Sequence, residues 1–234
     1  MSTGSSLHQR PFDLDENDFF ENPEPRCPVI LLLDTSQSMA GNPIKQLNEG
    51  LQTLKRTILK DDVASKRVEI AVVAFGEKVH STYFQFASNF EPSVYEAKGR
   101  TPMGEAIRTG LRMIEDRKRE LRGNVQYFRP QVFLITDGAP TDEWRDTISM
   151  IREGERAKRF LLTAIGVNGA DFAVLNELIN RDETLTGERR EALRLDELKF
   201  GELFRWLSDS VKASSIGIPG DDPKHESPTG WAVI

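Results

Sequence analysis

The chain holds a single cysteine, Cys27, so no disulfide can form within it. No apolar run approaches the roughly 18 residues that a membrane-spanning helix needs. The first ten residues carry no apolar stretch of the kind a secretory leader requires. Histidine is scarce: His8, His80 and His225 are the only three, two of them near the chain ends, which argues against a Ser–His–Asp catalytic set. The Gly-rich loop ending in Lys-Ser/Thr that cradles nucleotide phosphates is also missing. Nor is there a basic excess: the formal net charge is −6, unsuited to non-specific nucleic-acid binding, which rests on many Lys/Arg–phosphate contacts. These absences lead us to expect a cytoplasmic protein with no nucleic-acid and no membrane partner.

What is present fits one α/β domain. The 234 residues, 38% apolar and 29% charged, suffice for one generous core but not two ordinary ones. Residues 1–26 read as an acidic N-terminal extension, with Asp13, Asp15, Glu16, Asp18, Glu21 and Glu24 interleaved with Phe12, Leu14, Phe19 and Phe20. Such a stretch is either a solvated tail or an acidic-aromatic docking segment. Residues 213–234 are rich in Gly, Pro and Ser and read as a flexible C-terminal tail. Between them, residues 27–212 alternate. Apolar runs at Val29–Leu33, Val68–Phe75, Val132–Ile135 and Phe160–Val167 are continuous, as strands buried on both faces are. Glu69 is the one charge inside them.

The segments between repeat at helical spacing. Ile44, Leu47, Leu51, Leu54 and Ile58 share one face, after Asn42 as N-cap and Pro43 at the first helical position. Met103, Ile107, Leu111 and Ile114 form a second stripe. Trp144, Ile148 and Ile151 form a third, with Thr141 as cap and Asp142 and Glu143 in the first turn. Phe200, Phe204, Leu207 and Val211 form a last one. Val79–Ala87 follows a strand across only Gly76-Glu77-Lys78, so an antiparallel return at a sheet edge is expected. The predicted fold is a doubly wound, mostly parallel sheet with one antiparallel edge strand and helices on both faces.

Ligands of such sheets bind beyond the carboxyl ends of the strands, and two strands here run into aspartate: Leu33 into Asp34, Thr136 into Asp137. Adjacent carboxylates repel unless a positive charge lies between them. Ser36 and Ser38 add two hydroxyls one residue apart. An oxygen-only set of this kind suits Mg²⁺ or Mn²⁺ rather than zinc. The alternative is that the serines cap the next helix and Asp137 merely heads a turn.

Asp34-Thr35-Ser36-Gln37-Ser38 resembles the DxSxS signature of von Willebrand factor type A (VWA) domains. Thr101, within Gly99-Arg100-Thr101-Pro102-Met103-Gly104, resembles that family's threonine loop, and Asp137 in Thr136-Asp137-Gly138 its later aspartate. The resemblance covers about residues 27–212. It implies a metal-ion-dependent adhesion site in which Ser36, Ser38 and Thr101 touch the cation through hydroxyls. Asp34 and Asp137 would then act through water or by orienting those hydroxyls. Neutral ligands leave the cation free to take a partner's carboxylate, so the domain would be a non-enzymatic adaptor. Within the family the chain looks most like small stand-alone bacterial proteins linked to tellurite resistance, commonly encoded beside a PP2C-type phosphatase and a Ser/Thr kinase. That implies a stress or signalling role with one of these as partner. A co-chaperone of an AAA+ ATPase is the alternative.

Two positions depart from the pattern. Gln37 stands where many relatives have glycine. Arg100 precedes Thr101; turned inward it weakens metal binding or favours an anionic partner, turned outward it borders the site. An enzymatic alternative treats Asp34 as the nucleophile of a phosphatase-like hydrolase, but those enzymes carry a second acid two residues on, where this chain has Ser36. The run Arg117-Lys118-Arg119-Glu120-Leu121-Arg122 reads as a docking face for an acidic partner or as a solvated helix end.

Overall fold

A computed structural model describes residues 21–179, 190–196, 199–223, 228 and 231–233. The strands are β1 (Cys27–Asp34), β2 (Val68–Phe75), β3 (Val79–Ser81), β4 (Gln85–Phe86), β5 (Gln131–Thr136), β6 (Leu161–Gly166), β7 (Leu193–Leu195) and β8 (Ala232–Val233). They form one sheet in the order β3-β2-β1-β5-β6-β7-β8, with β4 also on β2. The helices are α1 (Asn42–Ile58), α2 (Ala64–Arg67), α3 (Met103–Leu121), α4 (Arg145–Arg156), α5 (Phe172–Leu178) and α6 (Phe200–Ser215).

The continuous apolar runs have the cause expected of them. Along β1, Val29, Leu31 and Leu33 join the core beneath α1 and α6, while Ile30 and Leu32 join the one beneath α3. Each strand in the middle of the sheet therefore spends every side chain on burial, and no alternation survives. From β1 the chain passes to β2 on one side and later to β5 on the other. The connections part there, which opens a crevice at the carboxyl ends of β1 and β5.

The predicted edge return exists, split into β3 and β4, both antiparallel to β2. At the opposite edge β8 pairs antiparallel with β7, and this was not anticipated. Residues 213–234, read as a tail, thus contribute the last turn of α6 and β8. Trp231, 2% exposed, lies 5.0 Å from the ring of Trp206. A stretch dense in Gly and Pro hides one large aromatic well enough to escape a reading based on composition. Trp206 and Leu203 are both core, as their spacing suggests. The two readings offered for the acidic segment concern mainly residues 1–20, which lie outside the described residues.

Two helix starts differ from expectation. Gly41, at φ 87°, caps α1, and Asn42 is already helical; a positive φ is available to glycine without steric cost. Thr141 does not cap α4, whose N-cap is Trp144. The short β7 and α5 were not foreseen, because three and seven residues are too few to show a period.

Three cations of the basic run at the end of α3 are paired within the chain. Arg117 is buried and donates to Glu69 through Nε at 2.9 Å and Nη2 at 2.5 Å, while Lys118 and Arg119 pair with Glu115 and Asp116 one turn back. The lone charge in the strands is thereby matched. Arg26, 1% exposed, approaches Glu69 from the other side at 3.4 Å.

Candidate metal centre

All five predicted site residues lie at the carboxyl ends of β1 and β5 and at the start of α3. Asp34, the last residue of β1, is fully buried. Its Oδ1 accepts from the Ser36 backbone N–H at 2.8 Å and its Oδ2 from the Thr136 hydroxyl at 2.5 Å. That turn aims Ser36 Oγ at Ser38 Oγ, 2.9 Å away. Ser38 Oγ in turn donates to Asp137 Oδ1 at 2.7 Å, across 99 residues of sequence. The chain Ser36–Ser38–Asp137 bridges the two strand ends, while buried Met39 anchors the single 3₁₀ turn that carries Ser38.

Thr101 reaches the same point through the long irregular segment between β4 and α3. Asn48 of α1 holds that segment by a reciprocal pair: its Nδ2 donates to Tyr95 O, and Tyr95 N donates to its Oδ1, both at 2.9 Å. Lys98 N then donates to Thr35 O at 2.8 Å, and Gln37 N to Gly99 O at 3.1 Å, which ties the segment to the serine loop. Thr101 and Thr141 lock together: Thr101 N donates to the Thr141 hydroxyl at 3.1 Å, and Thr141 N to Thr101 O at 2.9 Å. Asp142 accepts from Gly104 N and Glu105 N at 2.9 and 2.8 Å. Two of the three residues expected at the start of α4, Thr141 and Asp142, therefore secure the start of α3 instead. This correction has a plain cause, since an orphan helix N–H takes any carboxylate in reach.

Gly138 keeps the mouth of the site open. A Cβ there would lie 3.5 Å from Thr101 Oγ1 and 3.9 Å from Ser38 Oγ, so the space beside glycine is bordered by hydroxyls from two different loops. Thr101 Oγ1 makes no hydrogen bond among the described residues. Burial pushes the Asp34 carboxyl up to about 6, opposed by its hydrogen bonds and reinforced by the nearby charge of Asp137. Burial likewise raises Asp137, opposed by the Ser38 hydroxyl. Two desolvated carboxylates flanked by three hydroxyls are a donor set that a hard divalent cation fits, since its charge would favour the ionised carboxylates that burial disfavours. Among the described residues no three His, Cys, Asp or Glu side chains cluster to offer another metal site.

Both departures from the family pattern resolve. Arg100 is exposed. Among the described non-glycine residues only Lys158 has positive φ, so Gln37 makes its turn in ordinary backbone and glycine is not required.

The family profile of the von Willebrand factor type A domain matches residues 29–196. The chain belongs to the von Willebrand factor type A family. Among solved structures, this VWA domain is similar to proximal thread matrix protein 1 of the mussel byssus, at 14% identity and TM-score 0.55, over 82% of this chain and 49% of that one. A second structure of the mussel protein, with a zinc-occupied MIDAS motif, aligns at 15% identity and TM-score 0.50, over 81% of this chain and 48% of that one. The pilus adhesin SpaC of Lactobacillus rhamnosus GG aligns at 14% identity and TM-score 0.61, over 81% of this chain and 31% of that one. The VWA chain thus spans half or less of the length of these proteins, and at such identities the likeness is one of fold. No curated protein sequence matches it. No helix among the described residues is long and apolar enough to cross a membrane.

Sequence reasoning missed Thr136. It stands directly before Asp137 at the strand end, yet the DxSxS pattern draws attention elsewhere. Its hydroxyl donates to Asp34 and accepts from Gly138 N at 3.2 Å, holding both halves of the site in register. Thr136→Val is expected to weaken divalent-cation binding by about 10–100-fold, the usual effect of losing a partner that orients a ligand. Thr136→Ser, which keeps the hydroxyl, restores it. Isothermal titration with Mg²⁺ and Mn²⁺ measures both, and equal affinities for Val and wild type refute the role.

Proposed function

We propose that this domain is a metal-dependent protein-interaction module that grips a partner's carboxylate through a divalent cation. The observation that carries the reading is the bridge Ser36–Ser38–Asp137 at the β1/β5 crevice, with Thr101 beside it. Ser36, Ser38 and Thr101 supply hydroxyls to the cation, and Asp34 and Asp137 orient them and balance its charge. A divalent cation held by these residues would supply Lewis acidity toward an incoming carboxylate. The zinc-occupied motif of the structurally similar mussel protein supports a divalent ion; the oxygen-only donors favour Mg²⁺ or Mn²⁺ in this chain.

The hydrolase alternative is disfavoured by Asp34 itself. With no exposure and both oxygens engaged, it is placed to hold a loop rather than to attack a phosphate. From the resemblance we place the module in a cytoplasmic bacterial stress or signalling system, with a PP2C-type phosphatase, a Ser/Thr kinase or an AAA+ ATPase as partner. The test is affinity capture from native lysate in millimolar Mg²⁺ or in EDTA, followed by mass spectrometry. One of those three proteins retained only with metal, and recovered when EDTA-stripped protein is reloaded, is the expected result. Capture indifferent to EDTA overturns the shared-cation mechanism.

A further inference from the structure

The carboxyl edge of the sheet carries a second feature that the metal site does not use. Thr136 on β5 lies in register with Gly166 on β6, and Gly166 with Arg194 on β7. Arg194 is thus level with the metal-site loop and two strands away, a lateral distance of about 10 Å at normal strand spacing. Leu193 and Leu195 turn toward the core beneath α6, so Arg194 points to the other face. There its guanidinium sits 3.7 Å over the ring of Phe172, at the start of α5.

The arrangement is built rather than incidental. Phe172 packs against Gly166, where any Cβ would collide with the ring. The Asp171 carboxylate next to it is occupied as the N-cap of α5, accepting from Ala173 N and Val174 N at 3.0 and 3.2 Å. Arg194 is exposed and forms no ion pair among the described residues. An aromatic ring beneath one face of a guanidinium fixes its plane and leaves its N–H edge free, the geometry that receives a carboxylate bidentately. Fixing it beforehand also lowers the ordering cost of binding.

We propose that Arg194 on Phe172 is a second carboxylate subsite on the metal face, and that the partner docks as an acidic segment in polyproline II conformation with two carboxylates three residues apart. One carboxylate goes to the cation and the other to Arg194. Three residues of polyproline II advance about 9 Å and return the side chain to the same side, close to the lateral offset of about 10 Å from β5 to β7. The proposal rests on the cation–carboxylate reading above and adds to it the spacing and charge of the partner.

The probes are three synthetic proline-rich peptides that differ at two sites three residues apart. The first has aspartate at both sites, the second aspartate then asparagine, and the third asparagine at both. Each is titrated into the ¹⁵N-labelled full chain in saturating Mg²⁺, followed by HSQC and by the side-chain Nε–H resonance of Arg194. The two-aspartate peptide is expected to bind about tenfold tighter than the one-aspartate peptide, the gain from one added charge-assisted pair, and to shift that resonance. Arg194→Gln is expected to erase the tenfold difference while leaving one-aspartate affinity and Mg²⁺ affinity unchanged. Phe172→Leu, which removes the backing ring, is expected to reduce it. Equal affinity of the one- and two-aspartate peptides, or a difference that survives Arg194→Gln, overturns the subsite while leaving the cation–carboxylate reading standing. Failure of both aspartate-containing peptides to bind the Mg²⁺-loaded protein better than the asparagine control overturns both.

Discussion

Replacing Ser36 and Ser38 together by alanine is expected to lower divalent-cation affinity by more than about a hundredfold, beyond the loss typical of an outer partner, and to abolish metal-dependent capture. The fold is expected to survive. The two hydroxyls bond to each other at 2.9 Å, and removing both partners of a hydrogen bond at once leaves neither unsatisfied. Asp137 loses the Ser38 donor, at a cost of about 1–3 kcal/mol. Ser38 is exposed, and the turn that carries it is held by Met39 and by the backbone bond from Gln37 N to Gly99 O, which alanine leaves in place. Titration calorimetry and a thermal melt without metal distinguish the effects. Undiminished cation binding in the double variant places the metal elsewhere. A collapsed melting transition makes the serines structural instead.

The second large effect lies at the opposite end of the strands. Glu69→Ala is expected to destabilise the domain by about 3–5 kcal/mol, the usual consequence of leaving a buried charge without its partner. Arg117 and Arg26 both pair with Glu69, and all three side chains are at most 6% exposed; the other acid on Arg117, Glu120, is 43% exposed. Against a typical total stability of about 5–15 kcal/mol such a loss is a large fraction, readable as a drop in the urea midpoint. Glu69→Leu combined with Arg117→Met removes the close bidentate pair and is expected to recover much of the loss, because apolar groups of similar volume often replace a buried pair at little cost. Arg26 keeps the carbonyls of Glu24 and Asn22 as acceptors. Metal binding is expected to be unchanged in the double variant, since the ion pair and the cation site sit at opposite ends of β2 and β1. A Glu69→Ala variant as stable as wild type shows that the pair contributes no net stability.

The two sites differ in how far their residues could be read in advance. Asp34, Ser36 and Ser38 alternate along one short loop, and the turn after a buried strand converts that spacing directly into a cluster of oxygens. Strands and helices were legible for the same reason: β1 is apolar throughout because both faces are covered, and α1 shows a stripe because only one is. Such features are local, and a local pattern is a property of sequence. Thr101 entered only through its likeness to a family pattern, since no periodicity links it to Ser38. Asp137 could be suspected from its place at a strand end, but its pairing with Ser38 could not.

What the tertiary structure alone decided is which polar group meets which. Glu69 read as an odd charge in a strand and Arg117 as part of a basic run. The packing of α3 on β2 made them a buried pair. Thr141 and Asp142 had the composition of a cap for the helix that follows them, yet they secure Thr101 and the start of α3, because that helix end is nearer in space. Thr136 gained its role from the parallel pairing of β1 with β5, which sets its hydroxyl against Asp34. Trp231 is held in the core by the pairing of β8 with β7. A hydrogen-bonding or charged side chain carries no mark of its partner in the sequence. Partners are assigned by strand register and helix packing, which bring together residues distant along the chain.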